Sequence, residues 1–240
     1  QNKQPAIARW LKNFETAARK RSDKGEFWWE LRACAYYDKF ETSKIIYPHF
    51  SPAALFLFEE KNYFSNDKCY IIPSNEIYLS AFFNSKVIWF LLCGMSPAVR
   101  GGFYELRAQY VQTLPIPPAN ETQKSQLAKL AKTAQTAAEQ RFIEIRKFNH
   151  AAVRDFSPTG KLPAAWSDAL PSFSGFTAEL KKRFKRDLNL QERNDWDNYL
   201  TTTQTRINEL TQTITRAERE INALVCELFG LTADEVGLLG

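Results

Sequence analysis

The sequence is 240 residues long, 44% hydrophobic and 25% charged, enough to bury a core and too apolar for a disordered segment. A net charge of +5 permits a polyanionic partner without demanding one: Lys and Arg outnumber Asp and Glu by 15 to 11 in residues 1–118 and by 17 to 16 in residues 119–240. The most hydrophobic run, Ile77 to Leu92, is shorter than the ~20 residues a bilayer requires and holds Asn84-Ser85-Lys86, which excludes a spanning helix and makes a cytoplasmic protein the expectation.

The chain opens on Gln1 in polar sequence rather than on Met, the expected start of a piece of something longer. Residues 5–38 read as helical, with Ile7, Trp10, Leu11 and Phe14 on one face and Arg19-Lys20-Arg21 closing the first helix. Gly25 breaks it, and an aromatic-rich turn follows at Phe27-Trp28-Trp29-Glu30-Leu31. Trp28, Trp29 and Tyr36 are assigned to the core. The pattern then changes to strands at 44–47, 54–58 and 69–72, the first and last ending before Pro48 and Pro73. A polar loop over 59–68 separates the second strand from the third. Ser74 opens a helix running to about Leu92, and strands are expected at 104–107 and 110–114.

From Asn120 onward the pattern is helical. A first helix carries Leu127, Leu130, Ala131, Ala134, Ala138, Ile145 and Phe148. A connector with Pro158, Gly160, Pro163 and Pro171 leads to a short helix presenting Phe176, Leu180 and Phe184. From Trp196, apolar or small residues recur at Leu200, Thr203, Ile207, Leu210, Ile214, Ala217, Ile221, Leu224 and Leu228, alternating gaps of four and three: a heptad seam. Asn189 with Glu192, and Thr232 with Glu235, form capping-box signatures. The expected fold is mixed α+β: residues 1–118 a small β-rich domain, residues 119–240 an antiparallel helical hairpin or coiled-coil spacer. The seam could also dock a partner or support dimerisation.

Catalytic constellations are scarce. The two histidines, His49 and His150, lie about a hundred residues apart, and neither a Gly-x-Ser-x-Gly elbow nor a phosphate-binding glycine loop is present. Asp38 with Glu59-Glu60-Lys61 could hold Mg²⁺ in a nuclease, but so short a pattern is common. Cys34, Cys69, Cys93 and Cys226 lack metal-ligand spacing and read as buried free thiols of a reducing compartment. We therefore assign no catalytic and no metal-binding residue.

Binding chemistry is better represented. Lys61, Asn62, Tyr63, Asn66 and Lys68 place phosphate-seeking cations beside Asn side chains able to pair with adenine. Arg100, Tyr104 and Arg107 flank the glycine-freed turn Gly101-Gly102, although Arg107 could equally pair with Glu105. Lys181, Lys182, Arg183, Lys185 and Arg186 form the densest basic cluster, either a grip on nucleic-acid backbone or a solvated helix face. His49, at a strand end, could read a base or make a structural hydrogen bond.

Taken in order, Trp28-Trp29-Glu30-Leu31-Arg32, Tyr37 and Phe40, Lys44-Ile45-Ile46-Tyr47-Pro48, Cys69-Tyr70-Ile71-Ile72, Asn84-Ser85-Lys86, Gly101-Gly102 and Leu114-Pro115-Ile116-Pro117 resemble the TaqI-like C-terminal specificity domain of type IIG restriction–modification enzymes and related adenine-specific DNA methyltransferases. The tail from Val225 to Glu235 resembles the usual ending of such chains. The resemblance implies recognition of double-stranded DNA; on the physical grounds above, and not by transfer from the family, contact is expected from Lys61, Asn62, Tyr63, Asn66, Lys68, Arg100, Tyr104 and Arg107, and backbone contacts from Lys181, Lys182, Lys185 and Arg186.

It further implies a methyltransferase domain elsewhere in the parent chain, using S-adenosylmethionine to methylate adenine at N6, with Mg²⁺ only if a nuclease accompanies it. The Asn-Pro-Pro-Tyr-type motif and the glycine-rich S-adenosylmethionine loop are absent here. The rival reading is a helical assembly module of a DNA-modifying complex, without direct base readout.

Overall fold

The computed structural model describes residues 4–32, 34–157 and 161–239. It is α+β: two small antiparallel sheets followed by a long helical hairpin. In the first sheet β1 (Lys44–Pro48) lies between β3 (Leu57–Glu59) and β4 (Cys69–Pro73). In the second, β6 (Phe103–Glu105) lies between β2 (Phe50–Ser51) and β5 (Ala98–Val99). The sheets share one stretch of chain, because β1 runs into β2 through His49. Its amide donates to the Lys68 carbonyl (2.8 Å) on the first sheet's side, and its carbonyl accepts from the Leu106 amide (2.7 Å) on the second's.

Behind the sheets stand α3 (Tyr78–Phe83) and α4 (Lys86–Met95). The expected single helix over this stretch is divided at Asn84-Ser85. Asn84 turns its amide group to the backbone of Phe56, accepting from its N–H (2.9 Å) and donating to its C=O (2.7 Å). Ser85 is extended and caps α4, its Oγ accepting from the Ile88 amide. The Lys86 amide donates to Asn222 Oδ1 (2.7 Å). The same Asn84 contact shortens the strand expected at 54–58 to Leu57–Glu59, since the edge groups of Phe56 are already taken. Ser74 accepts from the Glu76 amide (3.0 Å) in a turn, and the helix proper starts four residues after Ser74, at Tyr78 with Ile77 as its N-cap.

The strand expected at 110–114 is instead α5 (Ala108–Val111). Arg107 is extended at its N-cap, the Val111 and Gln112 amides return to Arg107 and Ala108 carbonyls, and the i, i+3 pair Val111 and Leu114 is buried. Helical spacing therefore overrides the β-forming side chains of Tyr110 and Val111. The strand expected at 104–107 is β6, displaced by one residue at its start and two at its end.

In the helical half, α6 (Glu121–Phe156) and α8 (Leu190–Leu228) run antiparallel. Capping boxes are formed at Asn120 with Gln123, Asn189 with Glu192, and Thr232 with Glu235, the last opening α9 (Ala233–Gly237). The heptad seam of α8 is covered by α6 and, at its C-terminal end, by α3 and α4. Ala137 is buried on α6 in place of the expected Ala138. Helix α7 (Phe173–Glu179) widens into a π turn at Leu180–Phe184, and Lys185 follows in the left-handed region (φ 53°). The connector residues Pro158 and Gly160 lie outside the described residues.

Two cores result. The larger joins Ile45, Tyr47, Phe58, Phe82, Ile88 and Leu92 to Leu127, Ile221 and Val225, so the open end of the hairpin is packed into the sheet region. The second is aromatic and lies at the other end: Phe148, Phe156, Trp166, Phe176 and Trp196. From Leu200 in the second core to Ile221 in the first, α8 advances about 30 Å at ~1.5 Å per residue. Cys226 is buried, whereas Cys34, Cys69 and Cys93 are only partly so, against the expectation of four buried thiols; all four are free.

Residues 4–36 belong to neither core. They form α1 (Pro5–Leu11), a 3₁₀ turn, α2 (Glu15–Arg19) and a loop closed by a bridge between Lys24 and Leu31. The face expected to be buried is open: Ile7, Trp10 and Phe14 are exposed, Trp28 and Trp29 are half-buried against α1 and α2, and Tyr36 is 55% exposed. Among the described residues, no helix is long and apolar enough to cross a membrane.

Candidate functional site

The loop between β3 and β4 starts from a buried ion pair that sequence reading did not identify. Lys44 opens the central strand with no exposed surface, directly opposite Glu59 in the register. Its three ammonium hydrogens are matched by three acceptors: Phe40 O (2.7 Å), Thr42 O (3.1 Å) and Glu59 Oε2 (2.5 Å). Glu59 in turn accepts from the amides of Lys61 and Tyr63 (3.2 Å to the latter). Burial alone would raise the Glu59 carboxyl, but Lys44 and these amides outweigh it and hold the group below its usual range. The pair thus fixes the first turn of the loop, in which Asn62 adopts φ 59°. Glu59 is consumed in this role, and Asp38 pairs with Lys39 (2.8 Å), so the carboxylates considered for Mg²⁺ do not converge. Among the described residues, no group of three or more His, Cys, Asp or Glu side chains is placed to hold a metal ion.

The rest of the loop is anchored as well. Phe64 stacks on Phe40 (4.9 Å between centroids), Asn66 Oδ1 accepts from the Lys68 amide (3.0 Å), and the Lys68 carbonyl takes the His49 amide. With its backbone held at both ends and in the middle, the loop exposes Lys61, Asn62, Tyr63, Asn66 and Lys68. Lys61 reaches toward Glu139 on α6 (3.9 Å) and Lys68 pairs with Asp67 (2.9 Å); both lysines remain largely solvated. Exposed pairs of this kind contribute little and are readily exchanged for another anion.

Where the loop returns to β4, the two sheets meet in a polar cluster. His49 Nε2 stands 3.0 Å from Glu105 Oε1, and an Arg107 guanidinium nitrogen 2.9 Å from the same oxygen. The His49 ring stacks on Phe50 and meets Tyr70 edge-on. Arg107 therefore has the Glu105 partner that sequence left as one of two alternatives, yet its side chain is half exposed. The Arg107 guanidinium holds the Glu105 carboxyl below its ordinary value of 4.5, burial opposes this, and His49 adds to the pull.

A depressed folded value means that the contribution of Glu105 to stability is present above the unfolded value and is lost as the pH falls through the folded one. Arg107→Ala is expected to move the Glu105 titration upward in a carboxyl NMR experiment. An unmoved midpoint would mean that the pair does not form in solution.

Arg100 sits at the tip of the β5–β6 hairpin, where Gly101 (φ 88°) and Gly102 (φ 78°) take conformations that L side chains rarely adopt. It is exposed and has no ion-pair partner among the described residues. Tyr104 is half-buried against Trp89 (5.5 Å between ring centroids). Lys68 and Arg107 thus lie at the His49 end of β1, whereas Lys61, Asn62 and Tyr63 follow Glu59 at its Lys44 end, and Arg100 occupies the opposite end of β6 from Arg107.

The basic cluster lies elsewhere, at the aromatic end of the hairpin. Lys181 pairs with Asp187 (3.4 Å), while Lys182 and Arg183 share Glu179 (3.6 and 2.6 Å). Arg186 binds Glu192 (2.6 Å) and the Asp155 carbonyl (3.0 Å) and lies over the Phe156 ring (4.9 Å). Lys185 alone of the five has no partner among the described residues. Carboxylates therefore offset most of the cluster's charge.

Residues 6–116 match the TaqI-like C-terminal specificity domain. The matched stretch spans the aromatic N-terminal segment, both sheets, α3 to α5, loop 60–68, Arg100 and Arg107. Residues 120–225 match a second family model, described as a domain of unknown function (DUF8810), which covers the hairpin. No curated protein matches the chain. The functional residues missed in the sequence are Lys44 and Glu59, and a single signal marks them: an isolated Lys opening an otherwise apolar strand requires a buried counter-charge.

Proposed function

We propose that the chain is the DNA target-recognition part of a restriction–modification enzyme. The observation that carries this reading is the loop at 60–68, rigidly anchored yet fully exposed, inside a segment matched by a specificity-domain family. A held backbone presenting Asn, Tyr and Lys side chains suits a major groove, where Asn can pair bidentately with adenine and Lys can fix register on phosphates. Arg100 and Arg107 add cations at the two ends of β6. Arg107 reaches DNA by exchanging Glu105 for a phosphate, and Tyr104 acts from behind by supporting the hairpin. Lys181, Lys182, Lys185 and Arg186 supply secondary backbone contacts farther along the hairpin, about 24 Å on α6 from Glu139 beside Lys61 to Asp155 beside Arg186 at ~1.5 Å per residue, weakened by their carboxylate neighbours.

In this reading residues 1–118 recognise DNA and residues 119–240 act as a coiled-coil spacer. The partner is an adenine-N6 methyltransferase domain of the same parent chain, which would bind S-adenosylmethionine and take up the target adenine flipped from the duplex. Mg²⁺ would enter only through a nuclease fused to the same parent; among the described residues no set of side chains is placed to hold it, and no step is assigned to either cofactor here. The test is selection from a pool of randomised duplexes by the full 240-residue chain. A recurrent sequence should be enriched, and Asn62→Ala with Asn66→Ala should relax it at one or two positions, each mismatch being worth about 1–3 kcal/mol. A pool that returns unenriched would refute base readout.

A further inference from the structure

Residues 4–36 make the largest cluster of exposed aromatic side chains in the described chain, and the proposed duplex contacts do not use it. Trp10 is 60% exposed and pairs with exposed Phe14 (4.7 Å between centroids). Trp28 and Trp29 back them, with Trp29 stacked on exposed Phe27 (4.7 Å). Two shallow grooves flank this pair of tryptophans, one lined by Ile7, Leu11 and Lys12, the other by Trp10, Phe14 and Arg21.

The charge on this segment is one-sided. Residues 4–36 carry seven Lys and Arg against four Asp and Glu, an excess of three out of the chain's +5. Arg9, Lys12, Lys20 and Arg32 are exposed and have no ion-pair partner among the described residues. Arg21, by contrast, is committed to the Glu30 carbonyl (2.5 Å) and holds the loop on the helices.

We propose that this segment is a second nucleic-acid surface, one that stacks unpaired bases of single-stranded DNA. Exposed ring faces can accept a base only where that base's own face is free, which a paired and stacked duplex does not offer. Unpartnered cations beside the rings match a phosphate backbone, the combination by which proteins hold single strands without sequence preference. The centre of a protein–protein interface is depleted of charge, whereas here Lys12 lines the apolar groove itself. The proposal rests on the DNA-recognition reading for its context: extrusion of a target base leaves unpaired nucleotides beside the recognised site.

The test is titration of the full chain with a fifteen-nucleotide oligo(dT), followed by anisotropy and by tryptophan emission. Binding with quenching is expected. Trp10→Ala with Phe14→Ala should weaken it about tenfold or more, and Arg9→Ala with Lys12→Ala should weaken it and flatten its salt dependence. All four side chains are exposed, and circular dichroism of each variant confirms that the fold is retained. Absence of binding, or unchanged affinity in Trp10→Ala/Phe14→Ala, overturns the proposal. So does loss of self-association in that variant without effect on oligo(dT), which would assign the face to a second copy of the chain. Asn62→Ala/Asn66→Ala should leave oligo(dT) binding intact. A wild-type chain that binds oligo(dT) but shows no sequence preference on duplexes would sink the recognition reading and not this one.

Discussion

Lys44→Met is expected to lower the unfolding free energy by about 3–5 kcal/mol, because it leaves the Glu59 carboxylate buried without a counter-charge. The side chain fits the volume, so the loss comes from charge rather than from a cavity. Replacing both partners, as Lys44→Met/Glu59→Leu, should recover most of that stability, since an apolar pair removes the desolvation penalty along with the attraction. The double variant should nevertheless expose the amides of Lys61 and Tyr63, which bond to Glu59 in the native chain. Hydrogen exchange at those two amides would rise while β1 and β4 stay protected. Denaturant unfolding of the three proteins checks the first part, and a single variant within about 1 kcal/mol of wild type would contradict it. The double variant isolates what the ion pair contributes to recognition: a stable sheet carrying a loosened loop should bind duplexes with less discrimination.

The second large effect is at the other end of the hairpin. Phe176 is fully buried, with Phe148, Phe156, Trp166 and Trp196 ringed around it at 4.8–5.9 Å between centroids. Phe176→Ala is expected to lower stability by about 3–5 kcal/mol, the range for truncating a buried aromatic. Hydrogen exchange should show the loss concentrated between residues 161 and 200, with the strands at 44–48 and 69–73 protected as before. Sequence preference on duplexes should be unchanged, because the contacts that anchor loop 60–68, at Phe40, Glu59 and His49, involve no residue of the second core. Uniform loss of protection, extending to β1 and β4, would show that the two cores unfold as one unit.

The sequence makes the helical half readable almost in full. Periodicity from Trp196 to Leu228 and the capping boxes at Asn189–Glu192 and Thr232–Glu235 depend only on neighbours along the chain, and each is present as spaced. The sheet region was legible in outline and not in detail, for reasons that lie in single residues. Asn84 both divides a helix and shortens a strand by reaching 28 positions back to Phe56, a contact that no local pattern encodes. Tyr110 and Val111 have strand-forming side chains, yet the need to bury Val111 and Leu114 together winds them into a turn of helix.

The same holds for the candidate site. Exposed loop residues could be picked out as Lys, Asn and Tyr in a polar stretch. What holds that loop in shape, Lys44 against Glu59 and His49 between two sheets, depends on strand register, which sequence alone left undetermined. The N-terminal aromatic face was misassigned for a related reason: amphipathic spacing announces a buried face, and here the face has nothing within the described chain to bury it.

The central claim is that recognition resides at the loop edge and not in the helical cation cluster. It is tested most directly by measuring duplex affinity across a salt series for two variants beside wild type. One replaces Lys61, Asn62, Asn66, Lys68, Arg100 and Arg107 with alanine, the other Lys181, Lys182 and Lys185. The loop variant is expected to lose sequence preference and to flatten the log–log salt slope by about 1 for each phosphate contact removed, while the helical variant keeps its preference and most of its slope. A loop variant that retains both slope and preference, with the helical variant losing them, would contradict the account.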